Sequence, residues 1–186
     1  MSKLSNKTAL VTGGSRGIGA GIVRQLALEG ANVVFTYVSS PEKAAALVKE
    51  VTAYGVKASA IKADTGNIEE INAAITEVAA SGIDILVNNA GVFVTGVVDD
   101  SAANPEAFKR QWDVNVLGVA HTVRSVLPFM RDGGKIITIG STGGSRSPYP
   151  GIGDYTATKA ALAAYTRSWA RIWEAGILPL ILSSQG

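Results

Sequence analysis

The sequence predicts an α/β fold, a doubly wound parallel sheet built as a single domain over residues 1–186. Short β-rich runs alternate with stretches of helical spacing. Most of the β-rich runs are predominantly apolar, as burial on both faces of a parallel sheet requires. No repeat, linker or shift in composition divides the chain. It is 47% hydrophobic and 17% charged, so it can bury a core and lacks a disordered composition.

Each element has a local reason. Residues 8–11 form the first apolar run, and glycines from Gly13 to Gly19 break it. Residues 20–30 have helical spacing, with Ile22, Val23, Leu26 and Ala27 on one face. Residues 32–38 are β-branched and aromatic. Ser40 and Pro41 suit the N-cap and first position of a helix running to about Tyr54, which Gly55 ends. A third strand is expected over 56–63, a helix over 67–80 and a fourth strand over 83–87. One long helical region spans 103–129, a fifth strand 135–139, and a last helix 154–173.

Several function classes are excluded by composition. Net charge is +2, and Lys and Arg are scattered, so no nucleic-acid surface is expected. Without cysteine there are no disulfides or thiolate metal sites, and no metal is expected. The first seven residues lack the apolar core of a secretory signal, and no apolar run approaches the roughly 20 residues of a membrane helix. A cytoplasmic location without membrane contact is the expectation.

In doubly wound sheets ligands sit at the carboxyl ends of the strands. After the first strand comes Thr12-Gly-Gly-Ser-Arg-Gly-Ile-Gly19, opening a helix. Its glycines allow a tight turn and close approach of a pyrophosphate, which the helix N-terminus attracts. Many strand–helix turns need glycine for backbone reasons alone. The position in the first βα unit favours the phosphate reading.

The spacing Gly13, Gly17, Gly19 resembles the nucleotide motif of the short-chain dehydrogenase/reductase family, a Rossmann-like fold. The likeness is to members similar to 3-oxoacyl-carrier-protein reductases. An NAD site usually has an acid at the end of the second strand to hold the ribose. Here Phe35-Thr-Tyr-Val-Ser-Ser40 has none. Hydroxyls of Ser39 and Ser40 and the cation of Arg16 suit a 2′-phosphate instead, so the expected cofactor is NADP(H). A plain cap at Ser40 and a solvated Arg16 are the alternatives. The expected cofactor contacts are Gly13, Ser15, Arg16, Gly17, Ile18, Gly19, Tyr37, Ser39 and Ser40.

Two further strand ends join them. The resemblance implies that Asp64 meets the adenine ring; a turn aspartate before Gly66 is an equal alternative. Asn88-Asn-Ala-Gly91 matches the family's motif after the fourth strand, with Asn89, Ala90 and Gly91 at the cofactor. Asparagine amides there can tie strand ends together while small residues admit the ligand.

Tyr155 and Lys159 are four apart, one helical turn, so they share a face. An ammonium beside a phenol favours the phenolate and makes tyrosine a better proton donor and base near neutral pH. An ordinary amphipathic pair is the alternative. The resemblance implies that Tyr155 and Lys159 are catalytic and also touch cofactor. It further implies that Ser141, rather than its neighbour Thr142, holds the substrate carbonyl. Asn115 matches the asparagine that supports a water relay to the lysine. His121 is expected to be non-catalytic, and Trp169 and Trp173 to pack.

The resemblance implies reversible reduction of a ketone or aldehyde, or oxidation of the matching alcohol, by a homodimer or tetramer paired through residues 108–129 and 155–173. A nucleotide-sensing module and a reductase fragment without activity are the competing readings. The substrate's identity is not legible.

From Ile172 the pattern fails, and the sheet is expected to stop at the fifth or a makeshift sixth strand. Residues 172–186 are expected to be an atypical tail that leaves the C-terminal part of the domain incomplete. That segment can be back-translated so that one restored G yields Asp-Leu-Gly-Ser-Arg-Asn-Ile-Thr-Val-Asn-Ile-Val-Gln-Pro-Gly, which resembles the family's next strand and Pro-Gly turn. A frame shifted near codon 171 is the expectation, with an exposed fifth strand, weak cofactor binding, low stability and little turnover. Sequencing the gene checks it: bases over codons 171–186 that cannot be shifted into that phrase rule it out.

Overall fold

The computed structural model describes residues 2–99, 104–173 and 180–183. The strands are β1 (Thr8–Val11), β2 (Asn32–Tyr37), β3 (Ala58–Lys62), β4 (Ile83–Asn88), β5 (Met130–Ile139) and β6 (Leu180–Ser183). Between them lie α1 (Gly17–Leu28), α2 (Pro41–Thr52), α3 (Ile68–Ala79), α4 (Pro105–Trp112), α5 (Val119–Val126) and α6 (Gly153–Trp173). All strands pair in parallel, in the order β3-β2-β1-β4-β5-β6. The order reverses between β1 and β4, the place where such sheets open a ligand crevice.

Apolar side chains leave the central strands to both faces. Val11, Val33, Phe35 and Val87 pack with Val23 and Ala27 of α1 and Leu47 and Val51 of α2. Leu10, Leu86 and Ile136 pack with Ile71, Ile75 and Val78 of α3 and Val123 and Val126 of α5. Each large side chain so buried contributes about 1.5–3 kcal/mol. Ile22 and Leu26 flank the first of these clusters, as their spacing in α1 predicts.

Several element ends differ from expectation for identifiable reasons. Ser40 precedes α2, but its hydroxyl makes no capping bond. Asn67 does cap α3, accepting from the Glu69 and Glu70 amides. The long region 103–129 is four pieces: α4, a π-turn at Asp113–Gly118, α5, and a 3₁₀ turn at Leu127–Phe129. Asn104 caps α4 through the Ala107 amide, and Ala103 lies outside the described residues. β5 starts five residues before Lys135, because Met130 already pairs with Ile83 and the residues between form a bulge containing Gly133 at φ 75°.

β6 lies parallel to β5, with Ile136 opposite Leu180 and Ile139 opposite Ser183. The expectation that strand five becomes an edge is therefore corrected: a short apolar stretch of the atypical tail supplies the neighbour. Pro179, which cannot donate to a ladder, lies outside the described residues. Residues 174–179 and 184–186, where the rest of the shifted-frame reading falls, lie outside the described residues.

The N-terminal ends of the strands are clamped by Asp84, which is 3% exposed. Its carboxylate accepts from the Thr8 amide at 2.9 Å, from Lys7 Nζ at 2.9 Å and from Arg131 Nη1 at 2.9 Å. Burial alone would raise its pKa; the Thr8 amide and the Lys7 and Arg131 cations outweigh this and hold it below 3.8. A lowered carboxyl pKa adds stability above the ordinary value, which is lost as pH falls through the folded one. Asp84→Asn therefore lowers stability at pH 7 by roughly 1–3 kcal/mol. Urea titrations at pH 7 and pH 3 check it: the gap from wild type narrows at pH 3.

Candidate functional site

The crevice is held open by the laced ends of β1 and β4. Thr12 donates its amide to the Val87 carbonyl at 3.0 Å, and its hydroxyl accepts from the Asn89 and Ala90 amides at 3.1 Å each. Asn89 Nδ2 donates to the carbonyls of Thr12 and Gly13, both at 3.0 Å. This packing leaves no space for a side chain at Gly13 or Gly19. A Cβ on Gly19 would overlap the Gly13 carbonyl oxygen and Asn89 Nδ2, and Gly13 itself lies at φ +66°, 3.0 Å from Ala90 Cα at its would-be Cβ.

Arg16 occupies the N-cap of α1 in extended conformation, its side chain makes no cap hydrogen bond, and the first turn holds no acid. The positive end of α1 thus lacks an internal anion and faces a cleft of about 450 Å³. Gly13, Ser15, Arg16, Gly17, Ile18 and Gly19 line that cleft on the loop side. Tyr37, Ser39 and Ser40 line it from β2, Asp64 from the end of β3, and Asn89, Ala90 and Gly91 from β4.

Both readings of Asp64 meet here. One oxygen accepts from the Gly66 amide at 2.8 Å, a turn bond, and the other pairs with Arg110. Arg110, with Thr65, Val92 and Val114, also lines the cleft and was not marked by the sequence. Arg110 and Asp64 are 46 residues apart, so no local spacing signals their pairing.

Ser141, Tyr155, Lys159 and Asn115 do not line the cleft itself; they stand beyond its Gly91 end. A Cβ on Gly91 would sit 3.9 Å from Lys159 Nζ and 3.4 Å from Asn115 Oδ1. Lys159 Nζ donates to the Ile139 carbonyl at 3.0 Å and lies 5.7 Å from the Tyr155 ring centre. Burial pushes the Lys159 ammonium down from 10.5 to about 8. Ser141 lies two residues past β5, where its hydroxyl caps the Thr142–Gly144 turn by accepting from the Gly143 amide at 3.0 Å. The place of a Cβ on Gly143 is 3.2 Å from Ser141 Oγ and 3.8 Å from Tyr155 Cε1, so the hydroxyl and the phenol ring flank one point.

Asn115 is fully buried in the π-turn. Its amide group accepts from the Val92 N–H at 2.8 Å and donates to the Val92 carbonyl at 2.9 Å and to Thr158 Oγ1 at 3.2 Å. It ties the loop after β4 to the helix carrying Tyr155 and Lys159.

The model of the family described as short chain dehydrogenase matches residues 7–177. The chain belongs to the short-chain dehydrogenase family. A 3-oxoacyl-[acyl-carrier-protein] reductase FabG of Staphylococcus aureus strain Mu50 is 39% identical over 173 residues, which are 89% of this chain and 68% of that protein. A cyclic-di-GMP-binding biofilm dispersal mediator protein of Escherichia coli K12 is 38% identical over 172 residues, 92% of this chain and 68% of that one. A short chain dehydrogenase from Burkholderia cenocepacia J2315, solved in complex with NADP, superposes with TM-score 0.92 at 39% identity, covering 97% of this chain and 74% of that one.

Residues without a catalytic expectation keep ordinary roles. His121 Nε2 lies 2.9 Å from Asn72 Oδ1, a helix-surface hydrogen bond. Trp169 stacks on Tyr165 at 4.9 Å between ring centres; the indole of Trp173 lies outside the described residues. Among the described residues no cluster of His, Cys, Asp and Glu is arranged to hold a metal, and no helix is long and apolar enough to cross a membrane.

The lowered Lys159 pKa favours the neutral amine in the folded state, so stability rises with pH between about 8 and 10.5. Lys159→Met removes the penalty on the charged form and raises stability near pH 7 by at most about 3 kcal/mol. Melting curves of both proteins from pH 7 to pH 10.5 check this: the advantage of the variant shrinks as pH rises.

Proposed function

We propose that this family member is an NADP(H)-dependent oxidoreductase that reduces a ketone or aldehyde, or oxidises the matching alcohol. The observation that carries the reading is the buried Lys159 ammonium one turn from Tyr155, where the crevice passes Gly91.

The residues present fit a dinucleotide. The uncapped α1 N-terminus and the glycine cradle receive a pyrophosphate, and Arg16, Ser39 and Ser40 surround the end where no acid would repel a 2′-phosphate. Asp64 borders the same end with its charge neutralised by Arg110. The NADP complex of the Burkholderia relative supports the same assignment. When bound, the nicotinamide supplies or accepts hydride.

The protein's own groups handle the proton. Tyr155 gives its phenolic proton to the carbonyl oxygen as that oxygen gains charge, and Lys159 stabilises the phenolate left behind. Ser141 Oγ already accepts from the Gly143 amide, so its own proton is free to donate to the same carbonyl oxygen. Asn115 positions the loop and the helix, and the resemblance gives it a relay to Lys159. Small carbonyl compounds or alcohols are the partners, together with further copies of the chain in a cytoplasmic dimer or tetramer; Leu117 and Phe129, exposed along the α5 region, support such pairing.

A nucleotide-binding module without chemistry is the second reading, favoured by the cyclic-di-GMP-binding relative from E. coli. Tyr155→Phe separates the two. The reductase reading expects turnover to fall at least about a hundredfold, with NADPH affinity unchanged. Retention of full function by that variant selects the binding module.

A further inference from the structure

Phe93, two residues past Gly91, is 54% exposed, yet its ring meets Tyr155 at 4.7 Å with the planes 83° apart. This is the favourable edge-to-face arrangement of aromatic rings. One part of the Phe93 ring therefore holds the phenol, and the remainder faces open space beside it.

The surroundings of that open face are apolar. The loop after β4 meets the segment before α6 through the Gly96 amide, which donates to the Gly151 carbonyl at 2.8 Å. Both glycines are needed there. A Cβ on Gly96 would lie 2.6 Å from the Phe108 ring, and Gly151 lies at φ +87°. The joined loops present Phe93, Val97, Val98 and Tyr149 to solvent. No residue in 92–98 or 147–153 carries a charged side chain. Apolar side chains gathered in this way beside reactive groups mark a binding surface.

We infer that the substrate is a neutral carbonyl compound bearing an aromatic ring or a comparable apolar group, received between these two loops, with Phe93 as the specificity-determining residue. The inference rests on the oxidoreductase reading and extends it to a substrate class. The apolar group packs on the free part of the Phe93 ring and against Val97 and Tyr149, which brings the carbonyl to the Tyr155 hydroxyl. An anionic substrate loses its hydration against residues 92–98 and 147–153, which carry no cation; the exposed Arg146 precedes the second stretch, and the acetoacetate comparison tests whether it recruits an anion. Phe93 also restricts the Tyr155 ring, an effect shared by every substrate; selection for the apolar group appears only in the ratio between substrates.

The test uses the full chain with NADPH and three probes: acetophenone, butanone and acetoacetate. The expected kcat/KM for acetophenone exceeds the other two by about tenfold or more. In Phe93→Ala and Phe93→Leu the acetophenone-to-butanone ratio falls at least about fivefold, and Phe93→Tyr keeps it. A preference for butanone or acetoacetate, or an unchanged ratio in both truncated variants, overturns the inference. Saturation-transfer NMR of acetophenone on the NADPH-loaded protein separates the two layers of the reading. Binding that is lost in Phe93→Leu but accompanied by no turnover supports the apolar site and sinks the reductase chemistry. Absence of both binding and turnover overturns the site itself.

Discussion

The site depends on one local constraint: the carboxyl ends of β1 and β4 are laced by Thr12 and Asn89. Four hydrogen bonds from the β4 side, two backbone amides to the Thr12 hydroxyl and the Asn89 amide to two carbonyls, hold the glycine loop in place. The loop then directs the open end of α1 into the cleft, while Gly91, next along the backbone, turns toward Lys159. The glycine-loop end of the cleft and the end beside Lys159, the proposed sites of phosphate binding and proton transfer, are thus registered through three consecutive residues, Asn89 to Gly91. Because these bonds are part-buried, losing one leaves polar groups without water to replace it.

The opposite end of the same strands has a different kind of fastening. Asp84 gathers a backbone amide and two cations at the start of β1 and β4, and the bulge in β5 brings Arg131 to it. Charge serves stability there, away from the chemistry. At the site end the buried Lys159 has no carboxylate partner among the described residues and donates to a carbonyl. The fold tolerates the cost of that burial at the place where a shifted pKa is useful.

Much of this was legible in the sequence because it follows from sterics and burial. Continuous apolar runs marked the central strands, and the glycine spacing marked the loop in which Gly13 and Gly19 have no space for a Cβ. Thirteen of the expected cofactor contacts line one cleft, from Gly13 to Gly91, since each follows a strand end. Features that depend on distant partners were not legible. Arg110 meets Asp64 across 46 residues, and nothing in its own helix reveals this. The π-turn at Asp113–Gly118 escaped because helical periodicity hardly registers one extra residue per turn. The early start of β5 escaped because a bulge with paired glycines reads as a turn. The sixth strand was legible only as a makeshift alternative, because the apolar stretch at 180–182 matches no family pattern.

The central claim is that the laced crevice of this short-chain dehydrogenase family member binds a dinucleotide carrying a 2′-phosphate. The most direct measurement is a titration of the purified protein with NADPH and with NADH, followed by the fluorescence of its three tryptophans. The account predicts saturable binding that favours NADPH. Equal or tighter binding of NADH, or no binding by a protein that circular dichroism shows to be folded, would contradict it.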